Sequence, residues 1–199
     1  MHPSALFKLS EEDGLLAHLA AFPFCTIAAG VDGRILVAHA PVIARPTAAG
    51  LAIDFHLSRG NALVAAVAQG FPAVAVSLAC EAYVSPDWYE DKDSVPTWNY
   101  VAVEAEGLVA ALDTAGTIAL LDDLSAMEEA RLLPKAPWTR HKMSPGKFDG
   151  LLGGIVGARM AVSRLEGTNK LSQNKAAADR AGVMAALADH PIGRRMRDL

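Results

Sequence analysis

Two short stretches hold most of the residues able to do chemistry in this 199-residue chain. One runs from Ser85-Pro86-Asp87-Trp88-Tyr89 through an acidic loop to Val95-Pro96-Thr97-Trp98-Asn99-Tyr100, and carries two of the three Trp and two of the three Tyr. Amphipathic rings beside an amide and hydroxyls suit stacking on a flat ligand and bonding its edge; they suit equally a loop that caps the end of a barrel. The other is His56-Leu57-Ser58-Arg59-Gly60-Asn61. A cation, a hydroxyl and free N–H groups at a helix start make a phosphate cradle, with His56, Ser58, Arg59 and Asn61 as its lining; a plain N-cap is the alternative. Together the stretches fit a phosphorylated, aromatic small molecule, with Trp98, Asn99 and Tyr100 beside its ring.

Other chemistries find no support. None of the six His stands in H-E-x-x-H or i, i+4 spacing, so no metal site is expected. Cys25 and Cys80 lie in apolar runs without C-x-x-C spacing and read as buried thiols. There is no G-x-S-x-G elbow, and Gly150 to Gly157 matches neither G-x-G-x-x-G nor a P-loop. No residue is assigned as catalytic.

The elements that must position these groups are mostly strands. Ser10 and the acids after it open a helix over about Glu11 to Ala21. Phe22 to Ala29 and Ile35 to Ile43 make a hairpin around Val31-Asp32-Gly33, and Pro41 predicts an edge or a bulge there. Leu51 to Leu57 alternates strictly, with Asp54 and His56 on its polar face, and a helix is expected from Ser58 to about Ala68. Pro72 to Val84 and Trp98 to Val109 are long alternating strands joined by the aromatic loop, with Val74, Val76, Leu78, Cys80, Ala82 and Val84 on one side of the first. Thr114 to Leu133 reads as an amphipathic helix on Ile118, Leu121, Leu124, Met127 and Leu132. A last strand is expected over Ile155 to Val162, then a turn, Lys170 to Asn174, and an Ala-rich helix over Ala176 to Asp189. The tail through Arg194, Arg195 and Arg197 reads as a frayed basic end. Strand number and turn spacing favour a closed barrel, since an open sheet would leave apolar edges bare.

Composition sets the outer bounds. With 52% hydrophobic residues the chain can bury a sizeable core, and one domain over residues 1–199 with a C-terminal helical tail is expected. A net charge of −4 argues against a broad nucleic-acid footprint. No signal-peptide pattern and no apolar run of about eighteen residues is present, so no membrane partner is expected and the cytoplasm is the expected address.

The spacing S-x-x-W-Y, a short acidic loop and V-P-T-W-N-Y, followed downstream by Lys170-Leu171-Ser172-Gln173-Asn174, resembles the PaiB-like group of FMN-binding negative transcriptional regulators. The likeness runs loosely from Met1 to about Leu187. It implies a mainly β fold with helices (α+β): a six-stranded antiparallel Greek-key split barrel, like the pyridoxamine-phosphate oxidases, in a homodimer with FMN at the interface. On that resemblance His56 to Asn61 lie at the phosphate, Trp98-Asn99-Tyr100 near the flavin, and Lys170, Ser172, Gln173 and Asn174 face cofactor or substrate, with Lys170 at the reacting edge. The substrate-binding arginine pattern of the oxidases is not reproduced, so vitamin B6 oxidation is not implied.

Two alternatives stay open. A flavin-free repressor would bind DNA through the basic tail and Arg140 to Lys142, although the net charge does not support it. A split barrel holding haem or a deazaflavin would use His39 or His56 as axial ligand if the group is haem.

Overall fold

The computed structural model describes residues 2–199. A two-residue strand, β1 (Lys8–Leu9), precedes helix α1 (Glu12–Ala21), and the hairpin follows as β2 (Phe24–Val31) and β3 (Arg34–Thr47). Asp32 and Gly33, at φ 50° and 72°, supply the two left-handed residues that let a two-residue turn match the strand twist. After β4 (Gly50–Ser58) come a one-turn helix α2 (Val64–Val67), β5 (Phe71–Val84) and β6 (Thr97–Ala111). The remainder is α3 (Thr114–Ala130), α4 (Lys147–Leu152), β7 (Ile155–Lys170), α5 (Ala177–Ala186) and α6 (Pro191–Arg197). The strands form one antiparallel sheet in the order β1-β7-β4-β3-β2-β5-β6, and β6 also pairs with β7, so the order closes on itself. Six long strands and the short β1 agree with the expected barrel.

Several expectations need correction. Pro41 lies in an interior strand: β3 pairs with β2 through Arg34 to Pro41 and with β4 from Val42 on, so the missing N–H falls where the strand changes partner. The helix expected from Ser58 starts only at Val64, because Ser58 is still paired with Ile155 of β7 and Arg59 and Gly60 turn the chain. On α3 the buried stripe is Thr117, Leu120 and Leu124, with Asp113 as N-cap, rather than Ile118 and Leu121. The last strand runs on to Lys170 with no turn before it. The basic tail is helix α6, whose Ile192 and Met196 are buried one turn apart while the arginines take the other positions.

The chain forms two compact units. The second unit, Leu19–Val76 with Ala105–Arg164, buries Ile27, Val42, Ile53, Phe55, Met160 and Leu120 among others. Asp54, 2% exposed, is held there by Arg45 from β3 and by Arg159 of β7, its register partner, through two bonds of 2.6 and 2.8 Å. The first unit comprises the N-terminal residues to His18, Ser77–Glu104 and Leu165–Leu199. Its core joins Val84, Tyr89, Val101, Leu171, Val183, Ile192 and Met196. Strand β5 belongs to both units and changes its buried face between them: Phe71, Ala73, Ala75 and Ser77 are buried, then Cys80, Ala82 and Val84. The single alternating face expected for this strand does not hold.

Candidate functional site

In the first unit, the end of β7, the start of β6 and the aromatic loop enclose a cleft of about 260 Å³. Alternation along β6 turns Asn99 inward, where it is fully buried, and leaves Trp98 exposed with its ring edge-on to Tyr83 at 6.1 Å. Trp98, Asn99 and Tyr100 therefore do not share a face. Of the three, only Asn99 lines the cleft.

The strand ends at Lys170, and two residues further on Ser172 is buried in the left-handed region at φ 61°. A non-glycine residue there is strained and must be held by its surroundings. The Asn99 Nδ2 donates to Ser172 Oγ at 2.9 Å, and the Lys175 N–H donates to the Ser172 carbonyl at 3.0 Å. Gln173 is spent on the backbone, accepting from the Leu171 N–H and donating to the Asn169 carbonyl. It shapes the turn, whereas Lys170, Ser172 and Asn174 line the cleft.

Residues outside the sequence assignment complete the lining. Tyr89 is buried on one side, and Lys175 lies over its ring at 4.4 Å while donating to Ser94 Oγ at 2.8 Å. Lys170 donates to Thr97 Oγ1 at 2.5 Å and stands 5.9 Å from the Phe7 ring. Tyr89 was legible in the W-Y pair, and Lys175 directly follows the K-L-S-Q-N run. Phe7 and His2 had no local signal, because only the chain's return beside β7 brings them there.

The electrostatics follow from this packing. Burial holds the Lys170 ammonium below the usual lysine range. Burial and, next, the Asp179 carboxylate push the Tyr89 phenol up. Two polar atoms of the cleft's lining, Asn99 Oδ1 and the Tyr89 hydroxyl, are buried with no hydrogen-bond partner among the described residues. An unsatisfied buried group costs about 1–3 kcal/mol, and native folds keep few of them without a reason.

The other predicted group lies in the second unit. His56 is half-buried on β4 with Nδ1 unpartnered, and burial lowers its pKa. Arg59 straps the chain before β7, donating through Nε to the Gly153 carbonyl at 2.5 Å and through Nη2 to the Ile155 carbonyl at 3.0 Å. Asn61 accepts from the Leu63 N–H at 3.0 Å, a local turn bond. Helix α2 is one turn long and begins only at Val64, so the helix start expected at Ser58 does not form; Arg59 shares a pocket instead with Thr114 and Thr117 from the first turn of α3.

Comparison with known proteins gives a consistent result. A family model described as "Putative FMN-binding domain" matches residues 1–164. The whole chain is 26% identical to protease synthase and sporulation protein PAI 2 of Bacillus subtilis (strain 168), over 96% of that protein. An uncharacterized protein of Aspergillus fumigatus is 31% identical over 51% of this chain and 46% of its own length. Among solved structures, the FAD and heme binding protein from Mycobacterium smegmatis aligns with a TM-score of 0.62 at 16% identity, over 87% of this chain and 78% of that one. The flavocytochrome Anf3 from Azotobacter vinelandii aligns at 0.54 and 13% identity, over 85% and 72%. At such identities the likeness speaks to fold alone, and the fold is a split barrel.

Proposed function

Because the chain belongs to the FMN-binding domain family, we propose that it binds FMN as a cytoplasmic homodimer and serves as a flavin-dependent oxidoreductase in a regulatory setting. The observation that carries this reading is the Asn99 amide. It is fully buried beside a cleft, tied at one end to Ser172, and has an acceptor with nothing to accept from. The ring edge of a flavin offers an N–H between carbonyl oxygens, and would satisfy that acceptor while the Lys170 ammonium meets an oxygen.

FMN, when bound, supplies electron transfer; the protein's part is to hold and tune it. Lys170 would favour negative charge at the ring, because its ammonium is partly desolvated and bonded only to a hydroxyl. Ser172 would hold the Asn99 amide in one orientation. For the phosphate the proposal keeps His56, Ser58 and Asn61, with Arg59 contributing what its bonds to the Gly153 and Ile155 carbonyls leave free. The placing of Trp98 and Tyr100 near the ring rests on the family resemblance.

Two features support the homodimer. At about 260 Å³ the cleft falls below the roughly 300–1,000 Å³ usual for a ligand pocket, so it suits part of the cofactor. In the second unit the outer face of the hairpin shows Phe24, Ile35 and Val37 to solvent, three large apolar side chains that a second copy would cover.

The test is a titration of flavin-free protein with FMN, followed by quenching of flavin fluorescence. Saturable binding is expected, with Lys170→Ala loosening it about tenfold, or about 1.4 kcal/mol. Equal affinity in the variant would remove Lys170 from the site, and a wild-type protein that does not quench FMN would overturn the proposal.

A further inference from the structure

The cleft in the first unit has more cationic and polar capacity than the Asn99 and Lys170 contacts use. Lys175 and Tyr89 are assigned no role by the reading above, yet they form a wall of the cleft. Each lysine donates to a hydroxyl, Lys170 to Thr97 and Lys175 to Ser94, and among the described residues neither ammonium meets a carboxylate. An ammonium carries three N–H donors, so each keeps spare ones. Among the described residues no Asp or Glu lines the cleft, while His2, Lys170 and Lys175 do.

The apolar part of the lining is aromatic and aliphatic, from Phe7, Tyr89 and Val95. Lys175 is held over the Tyr89 ring, which fixes its position without neutralising it. The Tyr89 hydroxyl, buried and without a partner, adds a group that can donate or accept. Two unneutralised ammonium groups at one small concave site with aromatic walls raise the local concentration of anions and hold one that carries a ring.

We propose that this cleft is the site of a small organic oxyanion, a ring-bearing carboxylate or phosphate monoester, gripped by Lys175 with Lys170 and walled by Phe7 and Tyr89. It rests on the FMN reading to this extent: the cofactor takes the Asn99 and Lys170 side, and the oxyanion is the substrate or effector beside it. Lys175 is then a binding residue selecting for negative charge.

Calorimetric titration of the full-length protein with benzoate and with phenyl phosphate, at fixed ionic strength and with and without saturating FMN, tests this. Saturable binding of at least one is expected, and the tighter of the two names the oxyanion. Lys175→Met should weaken it at least tenfold, Lys175→Arg should stay within threefold of wild type, and FMN should not displace the probe. Circular dichroism melting confirms that each variant is folded. Absence of saturable binding, an unaffected Lys175→Met, or a Lys175→Arg as weak as Lys175→Met would overturn the proposal. Displacement by FMN would also overturn it, because the cleft would then belong wholly to the cofactor. A protein that binds the probe through Lys175 but does not bind FMN would refute the FMN reading and leave the oxyanion site standing.

Discussion

Single residues carry the chemistry, and those whose role depends on a distant partner could not be read from the chain. Lys170, Ser172, Asn99 and Asn174 were recognisable because they stand in two specific motifs, and the structure brings them to one cleft. Gln173 belongs to the same run but serves the backbone, a distinction that spacing alone does not make. His18 falls within the helix expected over Glu11 to Ala21, and the sequence assigned it no partner. Its buried Nε2 lies 3.1 Å from Ser77 Oγ, and burial lowers its pKa, opposed by the Ser77 carbonyl and aided by the Arg195 charge. Since the folded value lies below the ordinary one of about 6.5, the unfolded chain binds the proton first as pH falls. Stability is then constant above about pH 6.5 as far as His18 is concerned, and drops as pH falls from there toward the folded value. His56, lowered by burial as well, adds in the same direction. Melting temperatures at pH 7 and pH 5 should show this loss, and His18→Gln should reduce the difference; an unchanged difference would remove His18 as a source.

At the scale of elements, alternation and turn chemistry made the strands legible, while their partners and their ends were not. The Asp32-Gly33 hairpin and the two long strands followed from local pattern. The face change in β5 did not, because it reflects which core each half of the strand meets. Helix α6 was missed because seven residues rich in arginine look solvated until Ile192 and Met196 find a core. Close approach explains Gly182 on α5: a Cβ there would fall 1.9 Å from the Trp88 carbonyl oxygen, at the turn that leads into Tyr89. Gly182→Ala should destabilise the protein by about 1–3 kcal/mol, since overpacking outweighs the gain of up to about 1 kcal/mol in helix propensity. Gly150→Ala on α4, where a Cβ meets nothing within 4 Å, should be neutral or mildly stabilising. Denaturant melts of the pair decide it, and equal stabilities would contradict the packing argument.

The barrel of the second unit depends on ties between strands. Asp54 looked like a polar-face residue of β4, but it is the buried partner of two arginines from neighbouring strands. Removing it with Asp54→Ala takes from Arg159 its carboxylate partner and leaves Arg45 with Asp123 alone. Because both arginines remain partly exposed, a loss of roughly 2–3 kcal/mol is expected, at or below the range for a buried pair. Urea unfolding would measure it, and a loss under about 0.5 kcal/mol would make the triad a surface ornament.

For the molecule as a whole, the fold was legible because strand number, turn spacing and two specific motifs point to one architecture, which the closed strand order bears out. The placing of the cofactor was not, because the cleft is smaller than the ligand it is proposed to hold. The claim on which the account turns is that folded dimer and flavin belong together. The most direct measurement is sedimentation of the purified protein with saturating FMN, read at the flavin absorbance near 450 nm and at 280 nm. The account predicts flavin co-sedimenting with a species of twice the chain mass at one FMN per chain, and less of it with Lys170→Ala. Flavin left in the supernatant over a colourless protein, whatever its mass, would contradict it.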